Sequence, residues 1–143
     1  MPFLNFLAEK VNARLKSALN PLPLNSPTIH HPVIHFEIGC RDLQKTSDFY
    51  TKLFNWTPTP VGPATYIQTN TLEGIQGHLN ALGHEPYHYV TIYIQTDDIK
   101  EHLIKIVEAG GSTLIGPIKI PNGQEFAWFK DLDGNVLGLL TKA

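Results

Sequence analysis

Ile34-His35-Phe36-Glu37-Ile38-Gly39-Cys40-Arg41-Asp42-Leu43 and Val90-Thr91-Ile92-Tyr93-Ile94-Gln95-Thr96-Asp97-Asp98-Ile99 align with each other without a gap. Ile34, Phe36 and Ile38 match Val90, Ile92 and Ile94. Each run alternates with period two, the signature of a half-buried strand. Asp42-Leu43 matches Asp98-Ile99, and each aspartate stands where a helix N-cap is expected. The pair predicts one strand-to-helix unit written twice.

The segments around the pair extend the repeat. Ser47 to Phe54 reads as a helix with Phe49, Tyr50, Leu53 and Phe54 on one side. Ile99 to Ala109 reads as another, closed by Gly110-Gly111. Three short strands are expected after each helix: about 57–61, 65–69 and 74–80, then about 113–118, 125–130 and 136–140. Asn122-Gly123 and Asp133-Gly134 supply turn chemistry. Gly74-Ile75-Gln76-Gly77-His78-Leu79 aligns with Gly134-Asn135-Val136-Leu137-Gly138-Leu139. The predicted fold class is α+β: two β-α-β-β-β modules, about 33–80 and 88–140, facing each other across a pseudo-twofold axis. The repeat belongs to a domain over residues 29–143.

Residues 1–28 differ. Leu4, Leu7, Val11, Leu15 and Ala18 recur at three- and four-residue steps, which predicts an amphipathic helix from Pro2 to Leu19. Asn20-Pro21, Pro23 and Pro27 then predict an extended Pro-rich linker. An apolar stripe of this kind seeks a protein surface, on this chain's own body or on a partner subunit. Asn5 and Glu9 interrupt the apolar stretch and no positive charge precedes it, so a secretory signal is not expected and the location expected is cytoplasmic.

Composition excludes several classes. The chain has 143 residues, 42% of them hydrophobic, enough for a folded core. A formal net charge of -2 gives no bulk attraction to nucleic acid. The one cysteine, Cys40, excludes an intrachain disulfide and a multi-thiolate zinc site. No apolar run has the length of a membrane span. There is no P-loop, no G-x-G-x-x-G, no H-E-x-x-H, no EF-hand loop and no local Ser/His/Asp set. Seven histidines remain to be explained.

Val33-Ile34-His35-Phe36-Glu37-Ile38, Asp42-Leu43, Asp48-Phe49-Tyr50 and Leu53-Phe54-Asn55-Trp56 carry a resemblance, with Glu108-Ala109-Gly110-Gly111 and Phe129 to Leu139 in the second half. The pattern resembles the glyoxalase/bleomycin-resistance/extradiol-dioxygenase superfamily, also called the vicinal oxygen chelate fold, over Val33 to Leu140. The resemblance implies two curled modules forming a half-open barrel around a shared cleft, a small-molecule ligand, and a homodimer. It also implies a divalent metal in metal-using members, with one ligand from the first and one from the last strand of each module. Those positions map to His35, His78, Thr91 and Gly138. Two can ligate and two cannot, so a standard glyoxalase I activity is not expected.

Strand parity adds candidates. Glu37 shares a face with His35, and Gln76, His78 and Asn80 share one, as do Thr91, Tyr93 and Gln95. His35, His78 and Glu37 would form a two-His-one-carboxylate set for Fe, Ni, Mn or Zn. Glu37 and Glu125 are the candidate catalytic carboxylates. Tyr66, Gln76, Thr91, Tyr93 and Trp128 are the candidate ligand-binding residues, with Trp56 a further aromatic; of Trp128 and Phe129, one faces the cleft. Two functions stand against each other. One is a metal-dependent lyase or dioxygenase with an incomplete metal set. The other is a metal-free binding protein that sequesters a small planar molecule, and it needs no cofactor. His30-His31 read as rim or linker residues, His84 and His88 as loop residues near the cleft mouth, and His102 as a solvated helix residue.

Overall fold

The computed structural model describes residues 2–18, 29–83 and 85–143. It divides into two units, Met1–His30 and His31–Ala143. In the first, α1 spans Pro2–Ala18, one residue short of the expected helix end. Lys10 lies 4.5 Å over the ring of Phe6, one turn earlier. Leu19 and the linker at 20–28 lie outside the described residues.

The second unit follows the duplicated order. It runs β1 (Val33–Gly39), α2 (Leu43–Phe54), β2 (Thr57–Val61), β3 (Ala64–Gln68) and β4 (Gln76–Asn80). The second module repeats this as β5 (Val90–Thr96), α3 (Ile99–Glu108), β6 (Ser112–Lys119), β7 (Glu125–Lys130) and β8 (Val136–Thr141). Both caps form as the aspartates predict. Asp42 accepts from the Lys45 amide and Asp98 from the Glu101 amide, each at 3.0 Å. The Asp42 cap starts α2 four residues before the apolar pattern does. Asn55 ends it in the left-handed region, with φ at 57°.

All eight strands join one open sheet in the order β2-β3-β4-β1-β5-β8-β7-β6. The central strands β1 and β5 pair antiparallel, and each pairs in parallel with the last strand of its own module. The order reads the same from either edge once each strand is exchanged for its repeat mate. Edge strand β2 carries Pro58 and Pro60, which leave the rim short of donors for further pairing.

The apolar core lies under the helices, one cluster per module. Cys40, Ile67 and Leu79 pack with Phe36, Ile38, Tyr50 and Trp56. Ile99, Leu103, Ala127, Phe129 and Leu139 form the other. Trp56 stacks on Tyr50 at 5.3 Å and meets Phe36 at 5.7 Å, so it belongs to this core and not to the cleft. Because alternate residues point oppositely, the side chains left on the other sheet face are the polar and aromatic ones. That face is the cleft.

Candidate functional site

Register builds the site in two rows across the sheet. One row is Tyr66 on β3, His78 on β4, Glu37 on β1 and Thr91 on β5. The next is Gln76 on β4, His35 on β1, Tyr93 on β5, Gly138 on β8 and Trp128 on β7. The four positions mapped for metal ligands, His35, His78, Thr91 and Gly138, therefore do share one face.

Glu37 sits at the centre and is 1% exposed. His78 Nε2 lies 2.8 Å from its Oε1. The Tyr93 hydroxyl donates to Oε1 at 2.7 Å, and the Tyr89 hydroxyl donates to Oε2. Trp128 Nε1 donates in turn to the Tyr93 hydroxyl at 2.8 Å. His35 Nε2 and His78 Nδ1 are 2.7 Å apart. One hydrogen therefore bridges the two rings between His35 Nε2 and His78 Nδ1, while His78 Nε2 faces the carboxylate. The result is a buried chain, His35–His78–Glu37, tied to Tyr89, Tyr93 and Trp128.

Electrostatics follow from this packing. Burial alone would raise the Glu37 carboxyl, but hydrogen bonds from His78, Tyr89 and Tyr93 outweigh it and hold the group below the usual carboxylate range. Burial, reinforced by the adjacent His78, pushes His35 down to about 4. Burial and the Glu37 charge push both tyrosine hydroxyls up, so they stay donors.

The shift on His35 predicts an acid-sensitive fold. Its folded value lies below its ordinary 6.5, so between these limits the unfolded chain takes up a proton that the native chain refuses. Stability is therefore expected to fall as pH drops from about 6.5 to about 4, by about 3 kcal/mol from this group. The Glu37 contribution is lost at lower pH, as it falls through that group's depressed value. Urea unfolding across that range checks this: His35→Asn should flatten the slope above about pH 4. An equal slope in the variant would contradict the assignment.

The donor set does not fit the two-His-one-carboxylate metal centre that parity allows. Both ring nitrogens of His78 are engaged, one with His35 and one with Glu37, and both Glu37 oxygens hold hydroxyl donors. Among the described residues no three His, Cys, Asp or Glu side chains converge on one point. The blank at Gly138 is also filled: a Cβ there would overlap the Tyr93 ring. Tyr93 occupies the room where a fourth ligand's side chain would start.

A cavity of about 190 Å³ adjoins the network on the second-module side. Pro86, Tyr89, Thr91, Leu114, Trp128 and Val136 line it. Trp128 and Tyr89 meet edge to face at 6.4 Å, so they form a corner. Of the candidate binding residues, Thr91 and Trp128 line this cavity and Tyr93 stands behind Trp128. Tyr66 lies across the network, 5.8 Å from the His35 ring. Gln76 turns away, accepting from the Thr69 amide. Glu125 does not join the site: it shares strand parity with Ala127 and Phe129, which pack in the core under α3. Phe129 faces that core and Trp128 faces the cleft.

Tyr89 is the residue the sequence reading missed. It lies two residues before Thr91, on the same parity, but in a stretch with no apolar period. Two of the remaining histidines make hydrogen bonds away from the site. His102 Nδ1 pairs with Thr96 Oγ1 at 2.6 Å, and His31 Nδ1 with the Gln95 carbonyl at 2.9 Å, so His102 ties strand to helix and is not merely solvated. His88 is exposed, and His84 lies outside the described residues.

A family model described as Glyoxalase/Bleomycin resistance protein/Dioxygenase superfamily matches residues 32–139. The chain is 27% identical to a "Glyoxylase-like domain-containing protein" of Didymella fabae, covering 80% of this chain and 96% of that protein. It is 28% identical to the "Anthracycline biosynthesis protein DnrV" of Streptomyces peucetius over 75% of this chain. It spans about half, 46%, of that longer relative. Among solved structures, a methylmalonyl-CoA epimerase variant of Streptomyces coelicolor, in complex with 2-nitronate-propionyl-CoA, superposes with a TM-score of 0.57 at 19% identity. It covers 78% of this chain and 94% of that one. The hypothetical protein BH1468 from Bacillus halodurans superposes with a TM-score of 0.62 at 14% identity, covering 80% and 96%. These two show the fold.

Proposed function

The chain belongs to the Glyoxalase/Bleomycin resistance protein/Dioxygenase superfamily, and from that premise we propose that its cleft binds a small planar, oxygenated aromatic molecule without a metal. The observation that carries this is the cavity walled by Trp128 and Tyr89, close to a carboxylate that accepts from Tyr89 and Tyr93 and pairs with His78. Apolar walls with a few convergent polar groups are what a small-molecule site needs. A flat ring stacks on one of the two aromatics and meets the other edge-on. The relative named for anthracycline biosynthesis supports an aromatic ligand.

The metal-dependent lyase or dioxygenase reading requires His35, His78 and Glu37 to give up these contacts. In that reading they must also turn their lone pairs to one point. The proposal includes a cytoplasmic homodimer, to which the lone Cys40 adds no need for an oxidising compartment. No described helix is long and apolar enough to cross a membrane.

Calorimetric titration of 2-naphthol into the full chain, in the presence of a metal chelator, tests the function. Saturable binding with one site per chain is expected. Binding that vanishes with chelator and returns with a divalent metal would overturn the proposal.

A further inference from the structure

We propose that Gly39 is a positioning residue for the aromatic ligand. It seats the Tyr89 ring, so that the first module sets one wall of a cavity that otherwise belongs to the second. This inference rests on the aromatic-ligand reading above and adds the residue that shapes the wall. Gly39 ends β1 and is buried on the same parity as His35 and Glu37. The third cleft-facing position of that strand therefore carries only a hydrogen. Its repeat mate, Gln95, carries a full side chain, so the duplicated fold does not itself call for glycine there. The backbone does not call for it either, since Gly39 lies outside the left-handed region. What the position lacks is room. A Cβ on Gly39 would overlap the Tyr89 ring and come within 2.5 Å of the Tyr87 carbonyl oxygen. A glycine inside a strand often marks such a close approach.

The Tyr89 ring is held at both ends. Its hydroxyl donates to Glu37 Oε2, and the Tyr89 carbonyl accepts from the Gly39 amide at 2.9 Å. Two residues earlier, the Tyr87 ring lies under the Arg41 guanidinium at 3.9 Å. The segment that gives the cavity Pro86 and Tyr89 is thus fastened to the end of β1. The other four walls, Thr91, Leu114, Trp128 and Val136, stand on β5, β6, β7 and β8. A methyl group at position 39 displaces the ring, and with it the corner that Tyr89 makes with Trp128.

Gly39→Ala is tested beside Gly77→Ala. A Cβ on Gly77 would overlap the ring of Phe36, which packs in the first-module core. Both variants press a methyl group against an aromatic ring, so both should lower the midpoint of urea unfolding. Only Gly39→Ala is expected to weaken 2-naphthol, by at least about tenfold in calorimetry of the folded protein, because only its ring is a cavity wall. In a Tyr89→Ala background the same substitution should cost less than about threefold further, since the ring it displaces is gone. Gly39→Ala binding as tightly as wild type would overturn the proposal. So would equal losses in the two glycine variants, or the full loss without the Tyr89 ring. Where Gly39→Ala alone does not fold, Gly39→Ala/Tyr89→Ala should regain cooperative unfolding. A double variant that stays unfolded beside a folded Tyr89→Ala would overturn the proposal too. Wild-type protein that does not bind 2-naphthol would instead overturn the aromatic-ligand reading, and this inference with it.

Discussion

Glu37→Ala is expected to destabilise the duplicated domain by about 3–5 kcal/mol, the range found when one partner of a buried charged network is removed. The reason is accounting for donors. The wild-type carboxylate accepts from Tyr89, Tyr93 and His78 in a site that is 1% exposed. Alanine leaves three donors facing a void, and each unsatisfied buried group costs about 1–3 kcal/mol. Water entering the void recovers part of this. Urea unfolding followed by circular dichroism reads the change as a shift in midpoint at constant slope. An unchanged midpoint would mean that the network holds nothing together. Glu37→Gln should cost less, because the amide still accepts on one side.

Trp128→Ala is expected to weaken aromatic ligands by about 30-fold, roughly 2 kcal/mol, the scale of an aromatic hot spot in a desolvated pocket. Trp128 is the largest side chain lining the cavity, and its Nε1–H also donates to the Tyr93 hydroxyl. Trp128→Phe divides these roles. Phenylalanine keeps a stacking face and loses the donor, so its affinity should lie between wild type and alanine. Titration of 2-naphthol into the three proteins measures the order. Alanine matching wild type would show that ligands bind elsewhere in the cleft.

Much of this site is legible in the residues. Period two in Ile34–Ile38 and Val90–Ile94 places His35, Glu37, Thr91 and Tyr93 on one face, and register then sets Glu37 beside His78. Asp42 and Asp98 mark both helix starts, because a capping side chain is a local matter. What parity cannot supply is where lone pairs point. His35, His78 and Glu37 share a face as a metal set would, yet they satisfy one another. Glu125 lies off this face for a related reason. The choice between Trp128 and Phe129 as the cleft residue settles the parity of all of β7. Only packing of Phe129 against Leu103 and Leu139 makes that choice. Tyr89 escaped because it precedes its strand, where no alternation announces a facing direction.

His35, His78 and Glu37 satisfy one another, with Tyr89 and Tyr93 completing the set. Metal analysis of the full chain tests this most directly, after reconstitution with Fe(II), Ni(II), Mn(II) and Zn(II) in turn and removal of free ion, beside His35→Ala. No metal above background is expected in either protein. One metal per chain in the wild type, lost in His35→Ala, would contradict this.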